Sequence, residues 1–179
     1  MNINDVIYVG IFIDHIQGTL SKDIPNQHIT LSFRPDEQNF NDFLEHIGET
    51  CEISVIGYDN DGKNEGLLVD FPDNIPYYGA KKKHITLSTS DGSFPVKTGF
   101  LTFDKKIPSN IANQLPETLV GRVAVLTNKR GLVYDADLFN CSMADIVLNT
   151  DKVEPYNVNN STSKQQKIDK NNDEKEICR

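Results

Sequence analysis

The sequence is poor in the features that would place it outside a reducing compartment or in a membrane. Its three cysteines, Cys51, Cys141 and Cys178, are odd in number and widely spaced. They therefore form neither a disulfide framework nor a metal-binding pair. Residues 1–14 lack the basic flank and the small-residue cleavage site of a signal peptide, and their apolar run is far too short to span a membrane. We therefore expect a cytoplasmic protein without membrane association.

The chain also lacks an excess of positive charge. It has 18 lysine and arginine residues against 26 aspartate and glutamate residues, and its formal net charge is -8. A protein that holds long nucleic acid on a broad basic face has the opposite balance, so we expect no extended nucleic-acid surface. A locally basic pocket for a small or short phosphorylated ligand is still compatible with this composition.

The length of 179 residues suffices for one domain, or for two small halves that share a core. From about residue 150 the composition changes to asparagine, lysine, aspartate, serine and glutamine with almost no apolar residue. Such a segment cannot offset the entropy cost of folding. We therefore predict a folded domain at residues 1–149 and a disordered polar tail at residues 150–179. Neither composition nor pattern indicates an oligomeric state.

The rest of the pattern is rich in short strands and has few helices. Residues 6–13 are predicted to be a strand with four aliphatic side chains on one side. Tyr8 and Phe12, on the other side, either pack in a second buried layer or line a cleft. The best helix signal begins at the capping residue Asp36 and ends at Gly48. Further strands are predicted at residues 52–58, 66–71 and 96–103, a short helix at 109–115, and a hairpin from 119 to about 139 that turns at 128–131.

One five-residue stretch occurs twice. The letters HITLS stand at residues 28–32 and again at 84–88, and they contain two of the four histidines. Alternation of polar with branched apolar residues is typical of a strand with one buried face. Since alternate residues of a strand share a face, three polar side chains of each copy are predicted to point the same way. These are His28, Thr30 and Ser32 in the first copy, and His84, Thr86 and Ser88 in the second.

A doubled His-x-Thr in two facing halves suits chemistry at a phosphodiester. In-line displacement at phosphorus needs one group that takes a proton and another, on the opposite side, that gives one. Imidazole, with a pKa of about 6.5, can do either. We expect His28 and His84 to form this pair, while Thr30 and Thr86 donate hydrogen bonds to the phosphoryl oxygens. The scheme needs no metal and no cofactor, and two histidines with hydroxyls but without carboxylates or thiols at ligand spacing are a poor zinc set.

Other residues are candidates for contacts to the rest of the ligand, because they share strand parity with a histidine or lie in the loop before the second motif: Ser32, Ser88, Tyr77, Tyr78, Lys82 and Arg34. The serines are either phosphate contacts or structural strand-end residues. The tyrosines either stack on a nucleobase or anchor their loop to the core. Lys82 and Arg34 have the parity that would bring them to a phosphate, whereas the plainer interpretation of the lysine run at 81–83 is a solvated face.

The doubled motif resembles that of the 2H phosphoesterase superfamily, whose members carry two H-x-T/S-x motifs about half a domain apart and include the LigT-like RNA 2′,3′-cyclic phosphodiesterases. The resemblance rests on HITLS at 28–32 and at 84–88, and the order of elements agrees over about residues 5–140. It implies an α+β fold in which two antiparallel sheets surround a concave, bilobal cleft with helices outside. It also implies the two motif histidines as the acid and the base, and the two motif threonines as phosphate donors.

The function that we expect from these observations is metal-independent hydrolysis of a cyclic phosphodiester. The substrate would be a nucleotide or short RNA with a 2′,3′-cyclic phosphate, or a cyclic nucleotide signal, and the acidic net charge favours small or short substrates. The alternative is a module that binds a nucleotide or phosphate in the same cleft without turnover.

Overall fold

The computed structural model of the protein describes residues 2–79 and 81–140. The strands in this part are β1 (Val6–Ile13), β2 (Lys22–Asp23), β3 (His28–Phe33), β4 (Thr50–Asn60), β5 (Asn64–Asp70), β6 (His84–Thr89), β7 (Leu119–Thr127) and β8 (Gly131–Val133). The α-helices are α1 (Glu37–Asn41), α2 (Ser109–Ala112) and α3 (Asp137–Asn140), and 3₁₀ helices span Ile3–Asp5 and Pro95–Phe100. No helix of the described residues is long and apolar enough to cross a membrane. The predicted tail, residues 150–179, lies outside this part of the chain.

The described strands form one continuous sheet in which every pairing is antiparallel. Its order is β2-β6-β5-β4-β7-β1-β3, and β8 pairs with β7. The first residues of β4 pair with β7 and its later residues pair with β5, so β4 joins two halves. The prediction of an α+β protein built mostly of antiparallel strands is therefore confirmed. The two separate sheets that were expected are instead two halves of one continuous sheet.

The two copies of the repeated motif are strands, as predicted, and they lie in opposite halves of the sheet. Four strands separate β3 from β6 in the sheet order, yet β3 and β6 contact each other. Backbone hydrogen bonds from neighbouring loops help to hold the two flanks in place: Tyr78 N donates to Leu31 O at 2.9 Å, and Ile24 N donates to Leu87 O at 3.2 Å. The sheet is thus curled so that the two motif strands meet.

The apolar residues of the two motifs form part of the core. Ile29, Leu31, Ile85 and Leu87 are each at most 1% exposed. Burying an aliphatic side chain of this size stabilises the fold by about 1.5–3 kcal/mol. The predicted buried, apolar side of each motif strand is therefore confirmed. The opposite side of each strand is the one that can face away from the core.

The helix predicted from Asp36 and the strand predicted at 96–103 differ from the structure. The helix begins after Asp36, whose side chain accepts from Asn39 N at 2.8 Å, but it is α-helical only to Asn41 before turns lead to Gly48. The strand predicted at 96–103 is wrong, because Pro95–Phe100 is a 3₁₀ helix. Proline at the first helical position has a fixed φ that suits a helix start and carries no N–H for a strand ladder.

The hairpin predicted from residue 119 is present as β7 and β8, and its turn ends at Gly131 with a φ of 69°. It stops at Val133 rather than near residue 139, since α3 begins at Asp137. The helix predicted at 109–115 is present as the shorter α2.

Candidate functional site

A cavity of about 710 Å³ opens between β3 and β6. Both motif histidines and both motif threonines line it: His28, Thr30, His84 and Thr86. Most of the other lining residues are aromatic or apolar, and one is cationic: Tyr8, Ile24, Phe33, Tyr77, Tyr78, Gly79, Lys81, Pro95 and Val96. A largely apolar cavity of this volume with a few convergent polar groups is typical of a small-molecule site.

The first motif strand has a register shift where it pairs with β1. Val9 lies opposite Ser32 and Gly10 lies opposite Thr30, so the register skips Leu31. A Cβ atom on Gly10 would lie 2.9 Å from the carbonyl oxygen of Ile29, which is too close for any side chain. A shift of this kind, as in a β-bulge, changes which face the following residues present.

The second motif strand has the same register shift where it pairs with β5. Glu65 lies opposite Ser88 and Gly66 lies opposite Thr86, so the register skips Leu87. A Cβ atom on Gly66 would lie 2.6 Å from the carbonyl oxygen of Ile85. The two halves therefore repeat more than five letters: each motif threonine stands opposite a glycine, and each motif leucine is skipped.

The two serines do not share the face of the histidines. Ser32 is 4% exposed and Ser88 is fully buried, and neither lines the cavity. Ser88 Oγ donates to the Glu65 carboxylate at 2.5 Å and accepts from Leu20 N at 3.0 Å. The prediction that Ser32 and Ser88 share the face of the histidines is wrong, because the register shift at the preceding leucine turns each serine into the interior. Of the two alternatives for these residues, the structural one describes both.

Both histidines are held in the same tautomer by the same contact. His28 Nδ1 lies 2.7 Å from Asn26 O, and His84 Nδ1 lies 2.7 Å from Lys82 O, in each case the carbonyl two residues earlier. A carbonyl oxygen only accepts hydrogen bonds, so Nδ1 carries the proton of the neutral ring. Nε2 of each ring is consequently the nitrogen that can take a proton from a ligand or water, and return it.

The surroundings of the two rings differ. His28 is stacked on Tyr8, with ring centroids 4.5 Å apart and planes at 16°, and Phe12 packs on it at 5.1 Å. Burial lowers the pKa of His28, and repulsion from a charged His84 lowers it further, against the hydrogen bond to Asn26, which raises it. These effects leave His28 neutral at pH values where a solvated histidine is charged.

His84 is less enclosed and lies beside a cation. Its pKa is also lowered, chiefly by burial and further by the positive charge of Lys81, while the hydrogen bond to Lys82 O opposes the shift. The pKa values of both imidazoles thus lie below the ordinary value, and repulsion from a charged His84 contributes to the shift of His28.

The two threonines are not equivalent. Thr30 is partly exposed, whereas Thr86 is 7% exposed and its hydroxyl donates to Pro95 O at 3.1 Å. A hydroxyl rotates and has one proton to donate. Thr86 would therefore release Pro95 before it could donate to a ligand.

Both tyrosines of the loop before β6 line the cavity and also anchor that loop. Tyr77 donates its hydroxyl proton to Lys81 O at 2.6 Å, and Tyr78 donates to the Asp42 carboxylate. The Tyr78 ring also meets Phe43 edge-on at 5.7 Å, and the residue is 45% exposed. The anchoring alternative thus describes both residues, and stacking on a nucleobase stays a prediction for the exposed part of Tyr78.

The two predicted cations lie outside the cavity lining. Lys82 Nζ donates to Leu101 O at 2.8 Å, and the neighbouring Lys81 lines the cavity instead. The parity argument fails here because β6 begins at His84, so strand alternation does not reach the lysines. Arg34 follows the end of β3 with a φ of 47°, which turns the chain out of the strand and ends its alternation.

Several lining residues were missed or left open by the sequence pattern. Tyr8 was predicted either to pack in a second buried layer or to line a cleft, and it lines the cavity. Phe33 reaches the cavity only because the register shift reverses the parity after Leu31. Pro95 and Val96 belong to the 3₁₀ helix that was predicted as a strand. The lysine run at 81–83 indicated that a cation lies near the second motif, but the sequence did not show that Lys81 is the member that lines the cavity.

Within residues 2–79 and 81–140, no three His, Cys, Asp or Glu side chains come together in an arrangement that could hold a metal ion.

The chain matches no protein-family model, no curated protein and no solved structure. The fold and the site define an α+β protein whose curled antiparallel sheet brings two histidines with the same Nδ1 contact to one cavity.

Proposed function

We propose that the protein is a cytoplasmic, metal-independent phosphodiesterase with a bilobal fold of the 2H phosphoesterase type, which hydrolyses a cyclic phosphodiester by paired-histidine acid–base catalysis. The observation that carries the proposal is the pair His28 and His84, which line one cavity with Nδ1 of each ring bound to a backbone carbonyl. Two Nε2 atoms, contributed by equivalent strands of two halves, are the groups that in-line displacement requires.

The proposed reaction is the addition of one water molecule to the phosphodiester. Water attacks phosphorus, and Nε2 of one neutral histidine takes the proton that the water loses. The bond between phosphorus and the leaving oxygen breaks on the opposite side, and that oxygen receives the proton of the other, protonated histidine. The product is a phosphomonoester with a new hydroxyl group, and the two histidines then exchange protons with solvent to restore the starting state.

The lowered pKa values of the two histidines fit a site in which binding of the ligand favours protonation of one ring. Burial disfavours the imidazolium form of both rings in the empty cavity. A phosphate anion placed between them stabilises one imidazolium, since an opposite charge at short distance raises a histidine pKa. Binding of the substrate therefore supplies the acid, while the other ring stays neutral as the base.

The phosphate would be held by a cation and a hydroxyl. Lys81 lines the cavity next to His84, and its charge lowers the pKa of that ring, so the two lie close together. Thr30 is the better placed of the two motif threonines, because the hydroxyl proton of Thr86 is engaged by Pro95 O. We therefore assign phosphate binding to Lys81 and Thr30 first, with Thr86 joining after its hydroxyl rotates.

The test is turnover of a substrate panel by the full chain in the presence of EDTA. The panel contains a nucleoside 2′,3′-cyclic monophosphate, an oligonucleotide ending in a 2′,3′-cyclic phosphate, and a cyclic dinucleotide. His28→Ala and His84→Ala should each reduce kcat by about 10²–10⁴-fold, the range for a positioned acid or base. Normal turnover by either variant, or loss of activity in EDTA, contradicts the mechanism.

The matched control is His15→Ala. His15 lies 2.7 Å from Asp23 and is 40% exposed, and it does not line the cavity. Its replacement should leave turnover unchanged. Thermal unfolding of all three variants separates a loss of chemistry from a loss of fold.

A binding module without turnover is the second candidate, and one observation favours it. The hydroxyl of Thr86 is nearly buried and donates to Pro95 O, so the cavity holds only one motif threonine ready to donate to a phosphate. Tight nucleotide binding with no product after hours of incubation would support this function over hydrolysis.

A further inference from the structure

The wall segment, residues 93–100, follows the second motif in the chain and forms one side of the cavity. It contains the 3₁₀ helix Pro95–Phe100, and Pro95 and Val96 line the cavity. In space it packs against β5 and against β6, the strand that carries the second motif. The wall segment is therefore placed to act on the second motif from outside the sheet.

The wall segment contacts both of the polar groups that the second motif contributes to the cavity. The hydroxyl of Thr86 donates to Pro95 O at 3.1 Å. At Gly99 the backbone packs so closely on His84 that a Cβ atom there would lie 2.9 Å from Cε1 of the imidazole. The position of the wall segment thus affects both the direction of the Thr86 hydroxyl and the burial of the His84 ring.

Neither its helical geometry nor apolar burial accounts for the position of the wall segment. Runs of 3₁₀ helix longer than three or four residues are uncommon, and this one has six, with no side-chain hydrogen bond that caps its start. Its large apolar side chains, Phe94, Val96 and Phe100, are 57–72% exposed. The residues that the helix buries are the small Thr98 and Gly99. Polar contacts to other parts of the protein must therefore hold the segment.

Three of these polar contacts come from one buried amide at the start of β5. Asn64 is 2% exposed, and its Nδ2 donates to Phe94 O at 2.9 Å and to Thr98 Oγ1 at 3.0 Å. Its Oδ1 accepts from Ser93 Oγ at 2.5 Å. Both protons of the amide and its oxygen are thus engaged by the wall segment. Since Phe94 O only accepts hydrogen bonds, this position needs a side chain that donates.

We propose that Asn64 is a positioning residue for the second half of the site, which acts through the wall segment to hold the His84 ring and the Thr86 hydroxyl toward the phosphate. The inference rests on the proposed function, because it takes these two groups as the acid or base and as a phosphate donor. In the first half, the equivalent ring of His28 packs directly on Tyr8 of β1. The wall segment and its anchor Asn64 thus do for the second motif what a strand of the sheet does for the first.

The experiment follows the His84 ring by NMR, so that it does not depend on turnover. The imidazole Cε1–H signals of the full chain are titrated with pH, and the signal lost in His84→Ala identifies His84. Asn64→Ala removes three hydrogen bonds without changing a charge, and Lys81, which also lowers the pKa of His84, stays charged. We expect the pKa of His84 to rise toward about 6.5, because a displaced wall segment exposes the ring to water. The pKa of His28 should not rise, since other residues bury it.

With a substrate that the protein hydrolyses, the same variant should also change the kinetics. Asn64→Ala should lower kcat/KM by up to about 10²-fold, the cost of a misplaced reacting group. The alkaline limb of its pH profile should move to higher pH together with the pKa of His84. A residue that only stabilised the fold would, when replaced, lower the unfolding midpoint and leave the pKa of His84 and the pH profile unchanged.

Ser93→Ala is a milder variant that removes one of the three hydrogen bonds. It should raise the pKa of His84 by a smaller amount, and it decides the question where Asn64→Ala does not fold. Asn60→Ala is the matched control. Asn60 lies in the same hairpin, but its side chain accepts from Gly62 N and donates to Thr19 Oγ1 rather than to the wall segment. Its replacement should leave the titration of His84 unchanged.

A wild-type titration of His84 in Asn64→Ala, or in Ser93→Ala where the first variant does not fold, overturns the role given to Asn64. An equal shift in Asn60→Ala overturns it as well. If a substrate is hydrolysed under those results, the proposed function stands and only the positioning role fails. A raised pKa of His84 in Asn64→Ala, without turnover of any substrate by the wild-type chain, supports the hold of Asn64 on the ring and refutes the phosphodiesterase.

Discussion

Two histidines in identical five-residue contexts have different neighbours, because the residues that surround them come from elsewhere in the chain. His28 lies against Tyr8 and Phe12 of β1, whereas His84 lies beside Lys81. Both rings share the tautomer set by a backbone carbonyl. The orientation of the imidazoles is thus a local property of the motif, while their proton affinities are set by tertiary contacts.

The pH dependence of the proposed activity follows from these proton affinities. The productive state has one neutral and one protonated histidine, and it is most populated between the two pKa values of the pair. Both pKa values in the free protein lie below the ordinary value of about 6.5. We expect kcat/KM, which reports the free protein, to follow a bell-shaped profile with its maximum below pH 6.5. A maximum above pH 7, measured with controls for the effect of the buffer, would be incompatible with this assignment.

Lys81→Gln should change both the pH profile and the affinity. Removing the positive charge relieves repulsion of protonated His84, so the pKa of His84 rises and the alkaline limb of kcat/KM moves to higher pH. Loss of a charged donor to the phosphate should raise KM by about tenfold or more. The control is Lys97→Gln, because Lys97 lies over the exposed ring of Phe94 and does not line the cavity. An unchanged profile in Lys81→Gln would show that the lysine does not act on His84.

At the level of the elements, the sequence predicted the two motif strands and their buried apolar side, and these were the parts set by local alternation. Register was not predictable from the motif alone, since the skipped residues Leu31 and Leu87 depend on pairing with β1 and β5. The same shift moved Ser32 and Ser88 into the interior and Phe33 into the cavity. A signal did exist in the glycines opposite the two threonines, but it became visible only with the pairing.

Parity also failed for residues that lie just beyond the ends of the motif strands. Lys82 precedes the first residue of β6, and Arg34 follows the last residue of β3, so neither has a strand neighbour that fixes its direction. The segment after Phe94 shows the same limit, because Pro95 starts a 3₁₀ helix despite an apolar pattern that suited a strand.

Gly66→Ala tests whether the register shift needs glycine. The new Cβ atom would meet Thr98 Cγ2 at 2.4 Å and Ile85 O at 2.6 Å, and the second contact is backbone that cannot rotate away. We expect a loss at the upper end of about 1–3 kcal/mol in the free energy of unfolding, the usual cost of overpacking. Since Gly66 stands opposite Thr86, kcat/KM should fall as well.

Gly62→Ala is the comparison for this prediction. Nothing lies within 4 Å of a Cβ atom at Gly62, but its φ is 84°, so alanine there costs only the left-handed backbone, about 1–2 kcal/mol. Urea unfolding of both variants measures the difference. Equal losses of stability, with kcat/KM unaffected in Gly66→Ala, would mean that the strand relaxes around the new methyl group.

Across the whole molecule, the half of the sheet that carries His84 is tied to neighbouring segments by one buried carboxylate. Glu65 is 0% exposed, and it accepts hydrogen bonds from Thr19 N, Tyr58 OH and Ser88 Oγ at 2.5–2.7 Å. Those donors lie in the loop before β2, in β4 and in β6. Burial alone would raise the pKa of Glu65, but these hydrogen bonds outweigh it and lower the pKa.

Glu65→Gln should therefore destabilise the fold although it preserves shape. A glutamine amide keeps one acceptor but places an NH₂ group toward donors, and the backbone N–H of Thr19 cannot reverse its role. We expect the free energy of unfolding to fall by about 2–3 kcal/mol, as for loss of hydrogen bonds to a buried charge. Glu52→Gln, at an exposed position of β4, should change it by less than about 0.5 kcal/mol. Equal urea midpoints for the two variants would refute the role given to Glu65.

The two motif histidines and the buried carboxylates of Glu65 and Asp59 give the whole molecule a two-part loss of stability in acid. A group whose pKa is lower in the folded protein binds protons preferentially in the unfolded chain, so its contribution is complete above the unfolded pKa and decreases as pH falls. For His28 and His84 the loss begins below about pH 6.5, and for Glu65 and Asp59, whose pKa values are also lowered, it begins below about pH 4. Urea midpoints measured from pH 8 to pH 3 should be flat above pH 7 and decrease in both lower ranges. His28→Ala should flatten the decrease that begins below about pH 6.5, and Glu65→Gln should flatten the one that begins below about pH 4. Stability that rises between pH 6.5 and pH 5 would contradict the buried, neutral state assigned to the histidine pair.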